Sequence, residues 1–320
     1  MRVGVDVSPL IQTRAGTARH VRGLVGELRG RHALELELLS FGGPGRLSSV
    51  ARDAGWYPLA LRRTQGLDVL HCTTFRGPAR ARSPAVLTVH DLAILRWPEA
   101  FPRWHRLYGG AGLRRVLHAA DAIVAVSEFT KGEVVDLVGV PPERIRVIPN
   151  GVDPVFTGGG ASLERYVLAV GTLEPRKNLA RTAEAATLAG FDLRVVGARG
   201  WGGVDAPGWT GDAPDSELAD LYRGATCLVY ASLYEGFGLP VLEAMACGTP
   251  VVTSRGTAME EVAGGAAVLV DPLAAESIAA GIREASERSA ELVELGRERA
   301  SEFTWERAAD EVESLWRELA

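Results

Sequence analysis

The sequence alternates short apolar runs with segments of helical periodicity, and this alternation constrains the fold more than any other feature. Parallel strands need a long crossover between them, usually a helix, so the pattern is typical of parallel sheets covered by helices on both faces. It predicts an α/β protein with doubly wound sheets. Eleven strand-length runs carry the pattern, six in a first series (RVGVDV, LELELLS, LDVLHC, AVLTVHD, AIVAVS and IRVIPN) and five in a second (YVLAVG, DLRVVG, ATCLVYAS, TPVVTS and AAVLVDP).

The two series are separated by a linker-like segment, residues 149–162, in which Pro, Asn and Gly cluster. The charge balance changes sign near the same place: residues 1–152 carry 21 basic and 13 acidic side chains, whereas the remaining residues carry 14 and 27. We therefore predict one domain over residues 1–152 and a second over residues 153–303. Residues 304–320 form a helical segment that we expect to pack back on the first domain. Its apolar stripe consists of Trp305, Ala308, Val312, Leu315 and Trp316.

Several classes of protein are disfavoured by what the sequence lacks. No apolar run approaches the roughly 20 residues of a membrane-spanning helix, and no basic-then-apolar leader opens the chain, so we expect a cytoplasmic protein. Cys72, Cys227 and Cys247 lie scattered in apolar segments without metal-ligand spacing, which predicts reduced core thiols. Neither a metal site nor a nucleic-acid partner is expected.

Three junctions between a strand and a loop carry side chains suited to chemistry. In the first, GTLEPRKN, a strand ends at Gly171 and is followed by Arg176 and Lys177, with Asn178 opening a helix as its cap. Lysine is scarce in this chain, with two copies against 33 arginines. Two cations beside a helix start suit a phosphate or diphosphate, although a solvated basic turn is the plain alternative.

The second junction is LYEGFGLPVLEAMACGTPVV, residues 233–252, in which a Gly-Phe-Gly turn leads into a helix. Glycines before a helix start favour an anion site, because free backbone N–H groups and the helix dipole face the ligand. Two carboxylates, Glu235 and Glu243, lie eight residues apart. Eight helical residues rise about 12 Å, whereas a retaining glycosidase needs carboxyl groups about 5 Å apart. The pair is therefore expected to bind two parts of one elongated ligand.

The third junction is TVHDLAILRWPEAFP, where His90 and Asp91 end a strand. An imidazole at a strand end often takes part in catalysis, and the alternative is a histidine packed in a structural turn. Near the start of the chain, TRAGTARHVRGL is a turn that contains Gly16 and precedes a helix. Alone, this turn indicates no more than an ordinary helix cap around Thr17.

Taken together, these motifs resemble the retaining glycosyltransferases of family four, which have the GT-B fold. The matching stretches occur in order along nearly the whole chain: GTLEPRKN, SEFTKGEVVDLVGVPPERIRVIPNGVD, SLYEGFGLPVLEAMACGTPVV and FTWERAA. The similarity is closest to bacterial mannosyltransferase-like members with GDP-mannose-like donors. The resemblance implies two Rossmann-like domains facing a cleft, the first binding the acceptor and the second the nucleotide sugar.

The implied reaction is transfer of a mannose-like hexose from a nucleotide diphosphate sugar to an acceptor hydroxyl, with retention and without a metal or cofactor. The acceptor is an alcohol, either a saccharide or lipid-linked. A nucleotide-sugar epimerase or a phosphorylase on the same fold is the alternative, because a fold does not determine the chemistry. A binder without catalytic activity is a third class.

The resemblance also assigns roles to residues. The cations would neutralise the diphosphate, Glu235 would accept hydrogen bonds from donor-sugar hydroxyls, and Glu243 would bind the ribose. The implied catalytic residues are His90, Glu235, Lys177 and Arg176; the implied donor-binding residues are Gly16, Gly171, Gly211, Gly236, Phe237, Gly238, Leu239 and Glu243. The sequence departs from the family pattern at Ala18, where a second glycine is usual, and at Thr172, where several relatives have arginine.

A basic segment, residues 62–115, contains ten arginines and three acidic residues. Aromatic side chains interleave with its later arginines: Trp97, Phe101, Trp104 and Tyr108. The plain interpretation is a solvated arginine face over packed aromatic residues. The alternative hypothesis is that this segment binds an anionic acceptor or makes peripheral contact with an anionic membrane, where basic and aromatic residues are favoured.

Overall fold

The computed structural model describes residues 1–12, 16–43, 45–98, 111–158, 165–200 and 202–320. The chain divides into two compact units. Unit 1 contains residues 1–151 together with 305–320, and unit 2 contains residues 152–304.

Unit 1 contains a six-stranded parallel sheet in the order β2-β1-β3-β4-β5-β6. Its strands are β1 (Arg2–Asp6), β2 (Glu35–Leu39), β3 (Val69–Cys72), β4 (Ala85–Val89), β5 (Ala122–Ala125) and β6 (Ile145–Val147). Its described helices are α1 (Pro9–Gln12), α2 (Gly16–Leu28), α3 (Arg46–Ala51), α4 (Leu61–Arg63), α5 (Ala93–Arg96), α6 (Ala111–Ala119) and α7 (Glu128–Val138), with a π-helical segment at Arg52–Ala60 and a 3₁₀ turn at Pro142–Arg144.

Unit 2 contains a five-stranded parallel sheet in the order β11-β10-β9-β7-β8. Its strands are β7 (Tyr166–Val170), β8 (Asp192–Val196), β9 (Cys227–Tyr230), β10 (Val251–Ser254) and β11 (Val268–Val270). Its described helices are α8 (Leu179–Ala189), α9 (Asp215–Gly224), α10 (Leu239–Cys247), α11 (Ala258–Ala263), α12 (Ala275–Glu287) and α13 (Ser289–Ser301), with 3₁₀ turns at Pro154–Phe156 and Pro175–Lys177.

The doubly wound α/β prediction is confirmed, and each of the eleven predicted runs contains one strand. In both sheets the chain places its second strand on one side of the first and its third strand on the other. The resulting switch points lie between β1 and β3 in unit 1 and between β7 and β9 in unit 2. Loops leaving the carboxyl ends of two such strands diverge to opposite faces, which opens a crevice where open α/β sheets bind ligands.

The last helix, α14 (Trp305–Leu319), belongs to unit 1 and packs on α2. Its apolar stripe is buried, and the stripe members share a core cluster with β1 and α2. The approach is close because of Gly23: a Cβ atom there would lie 2.1 Å from the Trp305 ring. Arg31 adds ion pairs to Asp310 at 2.7 Å and Glu313 at 2.8 Å. A side chain at position 23 would therefore push α14 off α2.

No helix within the described residues is both long and apolar enough to cross a membrane. The aromatic stripe proposed for membrane contact falls largely on residues 101–110, which lie outside the described residues, so the membrane hypothesis stays a prediction.

Candidate functional site

The loop after β7 carries the two predicted cations. It runs from Gly171 through the 3₁₀ turn Pro175–Lys177 to α8. Gly171 has φ +150°, and a Cβ atom there would lie 3.0 Å from Lys177 Cε, so glycine leaves room for the lysine to fold back over the strand end. The sequence of this loop thereby places an ammonium group at the carboxyl end of the sheet.

Asn178 takes the cap position of α8, as predicted, although its side chain makes no cap hydrogen bond. Its φ is +59°, and its Nδ2 donates to the carbonyls of Ala231, at 3.0 Å, and Pro272, at 2.7 Å. The residue ties the cation loop to the loops after β9 and β11 instead of closing its own helix.

The loop after β9 carries Glu235, and the switch-point topology brings it against the cation loop. Lys177 Nζ donates to Glu235 Oε1 at 2.5 Å, and Arg176 Nη1 donates to Glu235 Oε2 at 2.7 Å. The backbone N–H of Leu233 donates to the carbonyl of Arg176 at 2.8 Å, which joins the two loops directly. Three predicted site residues thus form one cluster.

Two further residues complete this cluster, and the sequence reasoning missed both. Glu174 Oε1 lies 2.6 Å from Arg176 Nη2, and Lys177 Nζ donates to the Tyr230 hydroxyl at 2.7 Å. Glu174 stands two residues before Arg176, so its proximity could have been noticed. Tyr230 is 53 positions from Lys177, and no local pattern signals that contact.

The cluster contains two cations and two carboxylates, Glu174, Arg176, Lys177 and Glu235, and its formal charge is zero. Both carboxylates and the lysine are at least nine-tenths buried, and the side chain of Arg176 is 20% exposed. Burial by itself would raise the pKa of Glu235, but the neighbouring guanidinium and ammonium lower that pKa to about 2. Burial lowers the pKa of Lys177, and Glu235 partly opposes this. Glu235 is therefore ionised at neutral pH.

The Gly-Phe-Gly turn leads into α10 as predicted. Gly238 is the cap residue, with φ +101°, and no side chain caps this helix. Pro240 in the first turn has no N–H, and the N–H of Val241 donates to the carbonyl of Gly238 at 2.9 Å. Gly236, Phe237 and Leu239 are buried. An anion bound here would therefore be contacted more by the loop that precedes α10 than by the start of α10 itself.

Glu243 lies on α10 and is 1% exposed. Its Oε2 accepts a hydrogen bond from the hydroxyl of buried Tyr222 on α9, at 2.9 Å. Gly211 anchors the loop before α9, because its carbonyl accepts a hydrogen bond from the N–H of Gly197 at 2.8 Å. Glu243 and Glu235 contact different partners, consistent with the expectation that they do not act as one acid and nucleophile couple.

In unit 1, His90 follows β4. Its Nε2 lies 2.9 Å from the carbonyl of Thr73. A carbonyl only accepts, so Nε2 carries the proton and Nδ1 carries the lone pair of the neutral ring. Burial lowers the pKa of His90, partly opposed by the Thr73 hydrogen bond and by Asp91, so the ring is neutral at pH 7. The residue is a hydrogen-bond acceptor through Nδ1.

The buried His20, which the sequence reasoning missed, packs against His90. The ring of His20, on α2, meets that of His90 edge-on with centroids 4.6 Å apart, and His20 Nδ1 lies 2.7 Å from Asn150 Oδ1. Burial and the neighbouring His90 both lower the pKa of His20. His20 lies three residues after Thr17, and this helical spacing could have suggested an inward-facing side chain. The partners of His20, however, come from the ends of β4 and β6.

Gly16 is the first residue of α2, so the predicted turn is already helical at that point, and Gly16 is exposed. Ala18 lies in the first turn of α2 and is 1% exposed, where helical backbone angles suit alanine. All three cysteines are buried. No group of three or more His, Cys, Asp or Glu side chains within the described residues is placed to hold a metal ion.

Two parallel-sheet units, the second with a cluster of charged side chains at its switch point, define a doubly wound α/β protein. A family model described as "Glycosyltransferase Family 4" matches residues 4–156, and one described as "Glycosyl transferases group 1" matches residues 160–302. The chain belongs to glycosyltransferase family 4 and is a glycosyltransferase.

Similar proteins are found over most of the chain. The O-antigen chain mannosyltransferase B of Escherichia coli is 30% identical, over 94% of this chain and 85% of its own. A D-inositol 3-phosphate glycosyltransferase of Geodermatophilus obscurus is 30% identical, over 96% of this chain and 77% of its own.

Solved structures share the GT-B fold at low identity. Sucrose-phosphate synthase from Thermosynechococcus elongatus superposes with a TM-score of 0.81 and 18% identity, over 100% of this chain and 99% of its own. Anabaena HepE, solved in complex with UDP-glucose, gives 0.77 and 18%, over 100% of both chains.

Proposed function

We propose that the protein is a retaining hexosyltransferase that moves a mannose-like sugar from a nucleotide diphosphate donor, GDP-linked, to the hydroxyl of a saccharide or lipid-linked acceptor. The observation that carries this proposal is the neutral, buried cluster of Arg176, Lys177, Glu174 and Glu235 at the switch point of the second sheet. The mannosyltransferase relatives support the mannose-type sugar, and the UDP-glucose complex of HepE supports a nucleotide-sugar donor.

In this proposal the two cations bind the diphosphate. Before the donor binds, Glu174 and Glu235 balance their charge. Hydrogen bonds already orient the guanidinium and ammonium groups. These groups therefore need no rearrangement when the negatively charged diphosphate arrives. Preorganised donors of this kind stabilise the charge that develops on a leaving phosphate.

Glu235 holds the cations and also binds the donor sugar. Each of its oxygens accepts one cationic donor, and a carboxylate has about four lone-pair sites, so each oxygen can accept a further hydrogen bond from a sugar hydroxyl. One side chain then orients both the leaving group and the hexose. Glu243 would accept ribose hydroxyls on the other part of the donor.

The reaction proceeds by attack on the face from which the phosphate leaves. The bond between the anomeric carbon and the phosphate oxygen breaks, and its electron pair stays on that oxygen. The acceptor hydroxyl oxygen bonds to the anomeric carbon on the same face, and its proton passes to the departing phosphate oxygen. Arg176 and Lys177 stabilise the departing charge. In unit 1, His90 offers its neutral Nδ1 as a hydrogen-bond acceptor for a hydroxyl group.

We also propose that transfer needs no added metal, because the two cations supply the positive charge that a metal ion supplies in other transferases. The epimerase or phosphorylase alternative is favoured by no specific feature of the described residues.

The proposal is tested in two stages. Thermal unfolding with GDP, UDP, dTDP or ADP identifies the base, since a ligand that binds the native state raises the melting temperature. The matching nucleotide sugars, with chelator present, are then supplied with glycan acceptors, and product is detected by mass spectrometry. We expect GDP to stabilise most and GDP-mannose to be consumed. Stabilisation by none of the nucleotides would contradict the proposed donor site, and interconversion of the sugar without an acceptor would indicate an epimerase.

A further inference from the structure

Unit 1 contains a cavity of about 570 Å³ that is lined by none of the proposed catalytic or donor-binding residues and lies largely among residues of the basic segment 62–115. It lies among the π-helical segment Arg52–Ala60, the loop after β3 and helix α6, all within unit 1. Cavities of this size hold ligands of a few dozen atoms.

The cavity is strongly cationic. Arg62, Arg76, Arg80 and Arg115 line it, against a single carboxylate, Asp53. Arg76 Nε lies 3.6 Å from Asp53 Oδ1, so the pair is partly compensated. Within the described part of the chain, the other three arginines have no carboxylate at ion-pair distance. Four guanidinium groups and one carboxylate give the lining a formal charge of +3, which favours an anionic ligand.

The same cavity is also lined by apolar side chains. These are Leu59, Phe75, Ile94, Leu113 and Val116, and Leu59 is 52% exposed. A purely solvated arginine face would not need apolar side chains gathered around a concave space. A site for an inorganic anion would not need them either. The combination matches a ligand with a charged end and an apolar end.

We propose that this cavity binds an anionic amphiphile, a phosphate or diphosphate joined to an apolar chain. The guanidinium groups bind the phosphate oxygens in pairs, which planar guanidinium does well, and the apolar wall covers the first part of the chain. Under the proposed function, the ligand is the carrier end of a lipid-linked acceptor, and this assignment depends on that function. The binding itself does not depend on sugar transfer.

The experiment uses dodecyl phosphate below its micelle concentration as the probe, with dodecyl maltoside and inorganic phosphate as comparisons. Binding to the full chain is measured by calorimetry. We expect dodecyl phosphate to bind at least about tenfold more tightly than either comparison ligand, because only it satisfies both sides of the cavity.

The chain offers matched controls. Arg62 and Arg115 line the cavity, whereas the adjacent Arg63 and Arg114 do not, and all four are exposed. The double variant Arg62→Gln/Arg115→Gln should weaken dodecyl phosphate binding at least about tenfold, while Arg63→Gln/Arg114→Gln, with the same net charge, should change it less than about twofold. For the wall, Leu59→Ser should weaken binding, and Leu188→Ser, similarly exposed in unit 2, should not.

Equal losses in the two double variants would overturn the proposal, because they would indicate surface electrostatics only. Inorganic phosphate binding as tightly as dodecyl phosphate would also overturn it. Acidic vesicles bound equally by both double variants, with no binding of free dodecyl phosphate, would indicate a membrane surface instead. Thermal stabilisation by nucleotides is measured on the same samples. If nucleotides do not stabilise the wild type, that result counts against the proposed function and is independent of dodecyl phosphate binding.

Discussion

Lys177 Nζ and Glu235 Oε1 lie 2.5 Å apart although their residues are separated by 58 positions. The contact exists because β7 and β9 are neighbours in the sheet, and the loops that leave their carboxyl ends meet at the switch point. Arg176 contacts the other oxygen of the same carboxylate. Glu235 is therefore the residue through which both cations are held, and this relationship decides how substitutions in the cluster should behave.

The first prediction concerns Glu235→Gln, which keeps the shape of the side chain and removes its charge. We expect kcat to fall at least about tenfold, because the hydrogen bonds to cations and sugar hydroxyls lose their charge-assisted strength. The nucleoside diphosphate should bind as well or better, since the cations are less compensated. The control is Glu276→Gln, an exposed residue on α12. Steady-state kinetics and nucleotide titration check this, and a wild-type kcat would refute the assignment of Glu235.

The second prediction compares the only two lysines of the chain. Lys177→Ala should weaken nucleoside diphosphate binding and slow transfer, with a loss of about 1.5–3 kcal/mol for one charge-assisted contact. Lys131→Ala, on α7, should leave both unchanged. Calorimetric titration and turnover measure the two effects. If both variants behave alike, Lys177 is not a donor-binding residue.

The third prediction is stereochemical. A donor with an α-linked sugar should give an α-linked product, because attack occurs on the face that the phosphate leaves. The anomeric proton and carbon signals of the new glycosidic linkage in the purified product, recorded by NMR, measure the outcome. A β-linked product would show inversion and would exclude the proposed mechanism.

The fourth prediction follows from three histidines of unit 1, the buried His20 and His71 and the partly buried His90. Burial lowers the pKa of each below 6.5, to about 3 for His71. Between these values and 6.5 the unfolded chain binds protons that the native chain does not, so stability is present above pH 6.5 and is lost as the pH falls. Each group contributes up to about 1.4 kcal/mol per pH unit.

Chemical denaturation at pH 7.5, 6.5 and 5.5 tests this dependence. The free energy of unfolding should fall between the last two values more steeply than between the first two. Below pH 4.5 the Glu235 carboxyl, whose pKa is lowered to about 2, should add a further loss in the same direction. His71→Gln should reduce the slope between pH 6.5 and 5.5. A free energy that rises on acidification through this range would contradict the prediction.

Much of the architecture could be predicted from the sequence, because the information is local. Strand-length apolar runs identify all eleven strands of the described residues, since side chains buried on both faces of a parallel sheet leave a continuous apolar stretch. The Gly171 loop and the Gly238 turn were equally visible, because a left-handed or crowded backbone position requires glycine.

The partners of the charged and polar side chains were decided only by the tertiary structure. The pairing of Glu235 with Arg176 and Lys177, the contact of Glu243 with Tyr222, and the His20–His90 contact all join residues from different helices or strand-end loops. Periodicity along the chain shows which side chains face inward but not which strands are neighbours. The order of strands in the sheet sets those contacts, and with them the charge balance and pKa shifts of the site. The sequence by itself therefore determined the elements and the chemical groups available, and the topology of the two sheets decided which groups act together.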